Sequence, residues 1–399
     1  MKKIVLAPDS FKGTMSSVQV CEIIDGAFKK IMPGIETVRI PIADGGEGTV
    51  DAFLYALGGE KISCRTKNPL FEDISASYGI LKDNSAVIEL AAASGLTLIE
   101  DKKSPLDAST FGTGLLIKDA LERGCDKIIL GLGGSATSDG GAGIMAALGA
   151  RFIAADNRET APTNRGLGEL KYIDCAGLDK RLKACEITVA CDVTNVLCGE
   201  NGAAHIFGPQ KGADAQTVQI LDANLLKYAD LLREKTGRDV RNISGCGAAG
   251  GVLASLLSFP EYFNCKVCSG IDIILDAVNF DKIISDADLI ITGEGNFDSQ
   301  SMHGKAVSGI AKRAARQSKP VIIIAGGTSD YTDEIYNLGI SAVFSVISGI
   351  CANFDEVRQT CFDDLRRTAE NIARVLKFNI SPTLSAYQRD KSSRDSQRF

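Results

Sequence analysis

Tryptophan is absent from the sequence, histidine occurs twice, and aromatic residues make up 6% of it. With only His205 and His303 available, a histidine-based catalytic triad or a histidine-rich metal site has almost no material. The scarcity of rings also argues against the stacking platforms on which single-stranded nucleic acids rest. Positive charge is not in excess: 44 Lys and Arg against 50 Asp and Glu give a formal charge of −6, which leaves no electrostatic footprint for a nucleic-acid partner. No apolar run approaches the roughly 20 residues that cross a bilayer, so no membrane partner is expected. No apolar targeting segment lies near Met1, and the 12 cysteines are therefore expected to be reduced thiols of a cytoplasmic protein rather than a disulfide framework. Cys265 and Cys268 form a single CxxC where a structural zinc site needs a second pair, and they are read as two buried thiols.

What the chain does have is length, an ordinary soluble composition and 41 glycines, which point to many close backbone approaches. Apolar runs predict strands over Ile4 to Ala7 and Val38 to Ile42, with helices over Ser16 to Ile31 and Thr49 to Leu57. The same alternation returns after Asp286, with strands at Leu289 to Thr292, Val321 to Ile324 and Ala342 to Ile347, and helices at Lys305 to Gln317 and Asp333 to Leu338. Uninterrupted apolar strands of this kind belong to a parallel sheet covered on both faces. Between Lys61 and Glu89 polar and apolar residues alternate with no intervening helix, the pattern of an antiparallel or mixed sheet. The expected fold class is α/β: a discontinuous parallel-sheet domain, residues 1–60 and 281–380, with a second mixed α/β domain inserted at 61–280. The polar tail, 381–399, is expected to lack fixed structure. Ligands in such folds lie beyond the carboxyl ends of parallel strands and at domain interfaces, so the active site is expected in the interdomain cleft.

Four turns carry the chemistry. The first strand ends in "APDSFKGT", where Asp9 suits a metal or a substrate hydroxyl, Lys12 suits a phosphate, and Ser10 lies between them; a plain loop with an N-cap at Ser16 or Ser17 is the alternative. In "IADGGEGT", Asp44 and Glu47 occupy a glycine-rich strand-to-helix turn that would otherwise suit an anion. They fit hard oxygen ligands for a divalent cation, or a Glu47 that merely complements the helix dipole. "ITGEGNFDSQSMHGK" repeats the design with Glu294 and Asp298, and its Lys305 lies where a helix N-terminus would meet an anion, although helix capping by Ser301 or Asp298 explains part of it. Finally, "GLGGSATSDGGAG" offers Gly133, Gly134, Ser135, Thr137, Ser138, Asp139, Gly140 and Gly141 as a cradle for nucleotide phosphates. Read instead as a dinucleotide fingerprint, Gly131-x-Gly133-x-x-Ala136 with Asp156 downstream supports a nicotinamide-dependent oxidoreductase. Asp192 and Asn195, in "CDVTN" after a short strand, face either a ligand or their own Asx turn. Acidic groups for a cation, lysines at strand ends and a glycine and hydroxyl cradle suit phosphoryl transfer, which needs positioning, charge neutralisation and one carboxylate at the acceptor hydroxyl.

These stretches, with "GPQKGA" and "GAAGG", stand in an order that resembles the type 1 glycerate kinases over residues 1 to about 377. The resemblance implies a Rossmann-like domain carrying an inserted domain, and ATP-dependent phosphorylation of a small-molecule substrate, D-glycerate, with Mg²⁺. The product it favours is 2-phosphoglycerate; 3-phosphoglycerate is the alternative, and a non-catalytic metabolite-binding protein is a third reading. On this resemblance Asp44 or Asp192 faces the acceptor hydroxyl, Lys12 meets the substrate carboxylate or the transferring phosphate, and Asp9, Ser10, Asn195 and Lys305 join it around the substrate. Glu47, Glu294 and Asp298 surround Mg²⁺, and Gly133 to Gly141 holds the ATP phosphates.

Overall fold

The alternation of isoleucine faces in Val321–Ala325 shows how the first sheet is built. Ile322 and Ile324 pack on one side with Val20, Ile24 and Phe28 of helix Ser17–Ile31 and with Leu365, Ala369 and Ile372 of helix Phe354–Phe378. Ile323 and Ala325 pack on the other side with Val307 and Ala311 of helix Ala306–Arg316. A period of two with both faces covered makes the strand wholly apolar. The structure, a computed structural model, describes residues 1–298, 301, 306–330, 332–347 and 353–378. Lys305, His303 and the tail 381–399 lie outside the described residues.

The chain divides into two compact units: Met1–Ile42 with the segment from Asn279 onward, and Ala43–Val278. The first unit holds a five-stranded parallel sheet in the order Ile340–Ser345, Val321–Ala325, Leu289–Thr292, Lys3–Leu6, Glu36–Arg39. Ile4, Val5 and Leu6 sit at its centre, fully buried. The second strand forms earlier than the sequence pattern predicts, at Glu36–Arg39, because its pairing with Lys3–Leu6 is set by backbone register. Ile40 and Ile42 are buried beyond its end, so their apolar character serves the core without lengthening the strand.

The second unit holds a mixed sheet in the order Asn264–Cys268, Glu186–Ala190, Lys127–Gly131, Ala86–Glu89, Asp73–Leu81, Gly59–Lys67. The first four strands are parallel, and the last two are added antiparallel as a hairpin, which accounts for the alternation seen from Lys61. Helix Thr49–Leu57 falls in this unit, where the sequence reading placed residues up to 60 in the other domain. Its partners explain the difference: Gly79 of the hairpin approaches Val50 and Leu54 so closely that a Cβ there would lie 3.3 Å from each side chain. The CxxC runs along the outer strand Asn264–Cys268, where Cys265 is half-buried and Cys268 exposed, so Cys268 is not the buried thiol expected. The described cysteines are all free thiols. Among the described residues no helix is long and apolar enough to cross a membrane.

Helix Ser17–Ile31 begins with a capping box in which the Ser16 side chain accepts from Gln19 N and the Gln19 side chain accepts from Ser16 N. Ser16→Ala should lower stability by about 1 kcal/mol, the usual worth of such a cap. A urea unfolding midpoint indistinguishable from wild type would show that the box contributes nothing.

Candidate active site

The turn Asp44–Gly48 lies in the second unit, backbone to backbone on the ends of two strands. A Cβ on Gly131 would meet the Gly45 carbonyl oxygen at 2.2 Å, and one on Gly133 would meet Gly46 Cα at 2.7 Å. Gly133 N donates to the Gly45 carbonyl at 3.3 Å. Gly45 itself has φ of 89° and would press a Cβ to within 2.7 Å of Ala190 Cβ. Any side chain at these positions would drive the turn off the sheet. The start of helix Gly270–Ala277 closes the other side: a Cβ on Gly270 would lie 2.1 Å from the Asp44 carbonyl oxygen and 3.0 Å from Asp192 Oδ2. Four glycine approaches thus bring Asp44 and Asp192 to one place.

Asp192 is held there by Gly270 N, which donates to Oδ1 at 3.1 Å and to Oδ2 at 3.3 Å, and by the Ser269 side chain. Burial pushes its carboxyl up to about 6; the Ser269 and Gly270 hydrogen bonds oppose the shift, and the negative charges of Asp44 and Asp272 reinforce it. Asp44 accepts from Gly46 N at 3.2 Å. A carboxylate poised near neutrality beside a second one can accept a proton from a hydroxyl. Glu47 is exposed. The anion at the start of helix Thr49–Leu57 is instead Glu89, whose Oε1 accepts from Val50 N at 2.8 Å and whose carboxyl is pushed up by burial. Glu89 escaped the sequence reading because only the sheet brings the end of Ala86–Glu89 to that helix.

Of the cradle residues, Gly133 and Gly134 are exposed, whereas Ser135, Thr137, Ser138, Asp139, Gly140 and Gly141 are buried. Asp139 is an internal anchor: its carboxylate accepts from Thr110 N at 2.7 Å, Thr110 Oγ1 at 2.8 Å, Gly141 N at 3.1 Å and Gly143 N at 3.1 Å. Ser138 Oγ is buried with no hydrogen-bond partner among the described residues. The helix after this loop starts only at Ala142, and Asp156 sits on the surface beside Arg158, so the dinucleotide reading is not favoured. Asn195 Nδ2 donates to the Asn201 carbonyl at 3.1 Å, a bond within its own loop that is not an Asx turn.

In the first unit, Asp9 N donates to the Gly293 carbonyl at 2.8 Å, which sets "PDSFK" beside "GEG". Gly295 packs on Phe11 and Lys12, where a Cβ would lie 3.2 Å from Lys12 N. Asp9 is buried and its Oδ1 accepts from Ser10 N at 2.6 Å; Lys12 is exposed. Glu294 is half-buried, and the Gly326 and Gly327 amides bond the carbonyls of Glu294 and Gly295 at 3.0 and 2.9 Å. Asp298 and Ser301 bond reciprocally, as the capping alternative anticipates: Ser301 N donates to Asp298 Oδ1 at 3.1 Å and Ser301 Oγ accepts from Asp298 N at 3.0 Å. Among the described residues no group of three or more His, Cys, Asp or Glu side chains gathers as a ready metal site. Glu47 belongs to one unit, and Glu294 and Asp298 belong to the other.

Residues 4–377 match the model of the glycerate kinase family. The chain is 46% identical over 380 residues to the glycerate 2-kinase of Escherichia coli (strain K12), a match covering 95% of this chain and 99% of that one. It is 44% identical over 378 residues to the glycerate kinase of Bacillus subtilis (strain 168), covering 94% and 98%. A crystal structure from Salmonella typhimurium LT2, described as a glycerate kinase 2, matches with a TM-score of 0.84 at 44% identity and covers 95% of this chain and 99% of its own. The class is therefore that of an α/β phosphotransferase. Within it, the chain belongs to the glycerate kinase family.

Removing the Ser269 hydroxyl takes away a donor that holds the Asp192 carboxyl down. In Ser269→Ala the Asp192 pKa should rise, and if ionised Asp192 is required, the acid limb of the kcat/KM profile should move to higher pH. Activity near pH 6 should drop while activity near pH 8.5 is kept. An acid limb superimposable on wild type would separate Asp192 from the rate.

Proposed function

We propose that the protein transfers the γ-phosphoryl group of ATP to D-glycerate and forms 2-phosphoglycerate. The observation that carries this reading is the pair Asp44 and Asp192 beside the exposed glycine 133 and its neighbour 134: an acceptor for a hydroxyl proton next to a stretch of backbone without side chains. The acceptor hydroxyl oxygen bonds to the γ-phosphorus as the bond from phosphorus to the ADP oxygen breaks. The hydroxyl proton passes to Asp192, whose raised basicity comes from burial and from Asp44. Peptide amides near Gly133 and Gly134 meet the nucleotide phosphates, where no side chain stands in the way. Lys12, which is exposed, is the point charge suited to the substrate carboxylate or the moving phosphoryl group, with Asp9 and Ser10 shaping its loop. Magnesium is typically bound by one or two protein carboxylates together with substrate phosphates and water. Glu47, Glu294 and Asp298 are the hard oxygen donors suited to hold it, and when bound it offsets charge on the β- and γ-phosphates. The name of the 46% identical Escherichia coli relative, a glycerate 2-kinase, supports the 2-position.

The test is ADP release with D-glycerate and ATP, with and without Mg²⁺, followed by phosphorus NMR of the product; no turnover, or a 3-phosphate product, would overturn the reading. Asp44→Asn should lower kcat by on the order of 10²-fold or more with an unchanged circular dichroism spectrum, the usual scale of acid–base assistance. Near-normal turnover would remove Asp44 from the mechanism. Lys12→Ala should lower kcat/KM by at least about tenfold, the cost of one charge-assisted contact; an unchanged ratio would exclude Lys12.

A further inference from the structure

The stretch "GPQKGA" takes no part in the chemistry above, yet its lysine is among the least expected side chains in the molecule. Lys211 is 2% exposed, and its Nζ donates to the Thr137 carbonyl at 2.5 Å. An ammonium is almost never buried without a purpose that repays its desolvation. Burial lowers its pKa to about 8, and the negative charge of Asp139 opposes that fall. The same loop is gripped from several other sides. Asn164 Nδ2 donates to the Ser138 carbonyl at 2.8 Å. Gly140 N donates to the Gly250 carbonyl at 2.9 Å, and Ser255 Oγ donates to the Gly140 carbonyl at 2.6 Å. Asp139 gathers the amides of Gly141 and Gly143.

In a planar trans peptide the carbonyl of one residue and the N–H of the next point in opposite directions. A donor that draws the Thr137 carbonyl toward Lys211 therefore turns the Ser138 N–H away from it. Asn164 does the same for the Asp139 N–H. Two buried donors thus aim two consecutive amides of the glycine-rich loop without touching a ligand themselves.

We infer that Lys211 is a positioning residue for nucleotide binding: its ammonium fixes the Thr137–Ser138 peptide, and with it the amide edge that the loop 131–141 offers to phosphate. This rests on the assignment of that loop to the nucleotide. It predicts that a neutral side chain of similar length disturbs nucleotide affinity and spares the acceptor.

The experiment compares the full-length protein with Lys211→Met by calorimetric ADP binding and by steady-state kinetics. The expected result is ADP binding and KM for ATP each weakened at least about tenfold, with KM for D-glycerate at saturating ATP within twofold of wild type. A purely structural lysine would instead lower the melting temperature and the active fraction while leaving both KM values in place, and that outcome overturns the proposal. Hydrogen exchange on wild type keeps the two claims apart. If ADP fails to protect amides 133–139, the loop assignment is wrong and the proposal falls with it. If ADP protects them and Lys211→Met binds ADP normally, the loop assignment stands and only the role of Lys211 is lost. Should Lys211→Met fail to fold, Lys211→Met/Asp139→Asn, which removes both buried charges together, carries the same expectation and the same refutation.

Discussion

Backbone touching backbone at glycines 45, 131, 133 and 270 is the constraint on which the second unit's chemistry depends. A side chain at any of these positions would sit 2.1 to 2.7 Å from a neighbouring atom, well inside contact distance. The Asp44 turn can lie on the strand ends only because nothing projects from either surface. That closeness brings the Asp44 turn and the Asp192 carboxylate to one place. It also leaves the glycines after strand Lys127–Gly131 bare toward solvent.

Charge follows from this geometry. A protein with formal charge −6 binds anionic substrates only where local donors outweigh the global field. Peptide N–H groups are suited to that role, because they carry no counter-charge and lose no side-chain entropy when a ligand arrives. Acidic groups are then free to serve protons and cations. Burial raises the pKa of both buried acids: Asp139 accepts from Thr110, Gly141 and Gly143, which oppose the rise, whereas Asp192 is held by Gly270 and Ser269 and crowded by Asp44.

The sequence displayed the fold class well because strand periodicity is local. The apolar runs at Leu289 and Val321 and the alternation from Lys61 follow directly from which faces are buried. The end of the first segment was less legible, since helix Thr49–Leu57 reads as the continuation of a βαβα series until its packing against the hairpin is known. The glycine motifs fall in turns at strand ends, and what their side chains touch is set by distant partners. Asp139 reads like a ligand in sequence, and its carboxylate accepts from Thr110, far away in the chain, as well as from its neighbours Gly141 and Gly143. Ser269, Gly270 and Glu89 carried no local signal, and Lys211 stood out only as part of the motif "GPQKGA". Each acquires its role from a partner on another strand or helix, which composition and spacing do not encode.

The interrupted first unit has a consequence for how the protein is made. Strand Lys3–Leu6 lies at the centre of its sheet, yet one of its two neighbours, Leu289–Thr292, leaves the ribosome only after the whole of Ala43–Val278 has been synthesised. Until then Ile4, Val5 and Leu6, fully buried in the finished protein, have one partner strand and no second. The second unit has all of its sheet in one continuous stretch and is complete earlier. The sheet of the first unit therefore closes only after the second unit has been synthesised, and strand Lys3–Leu6 waits longest for its second neighbour.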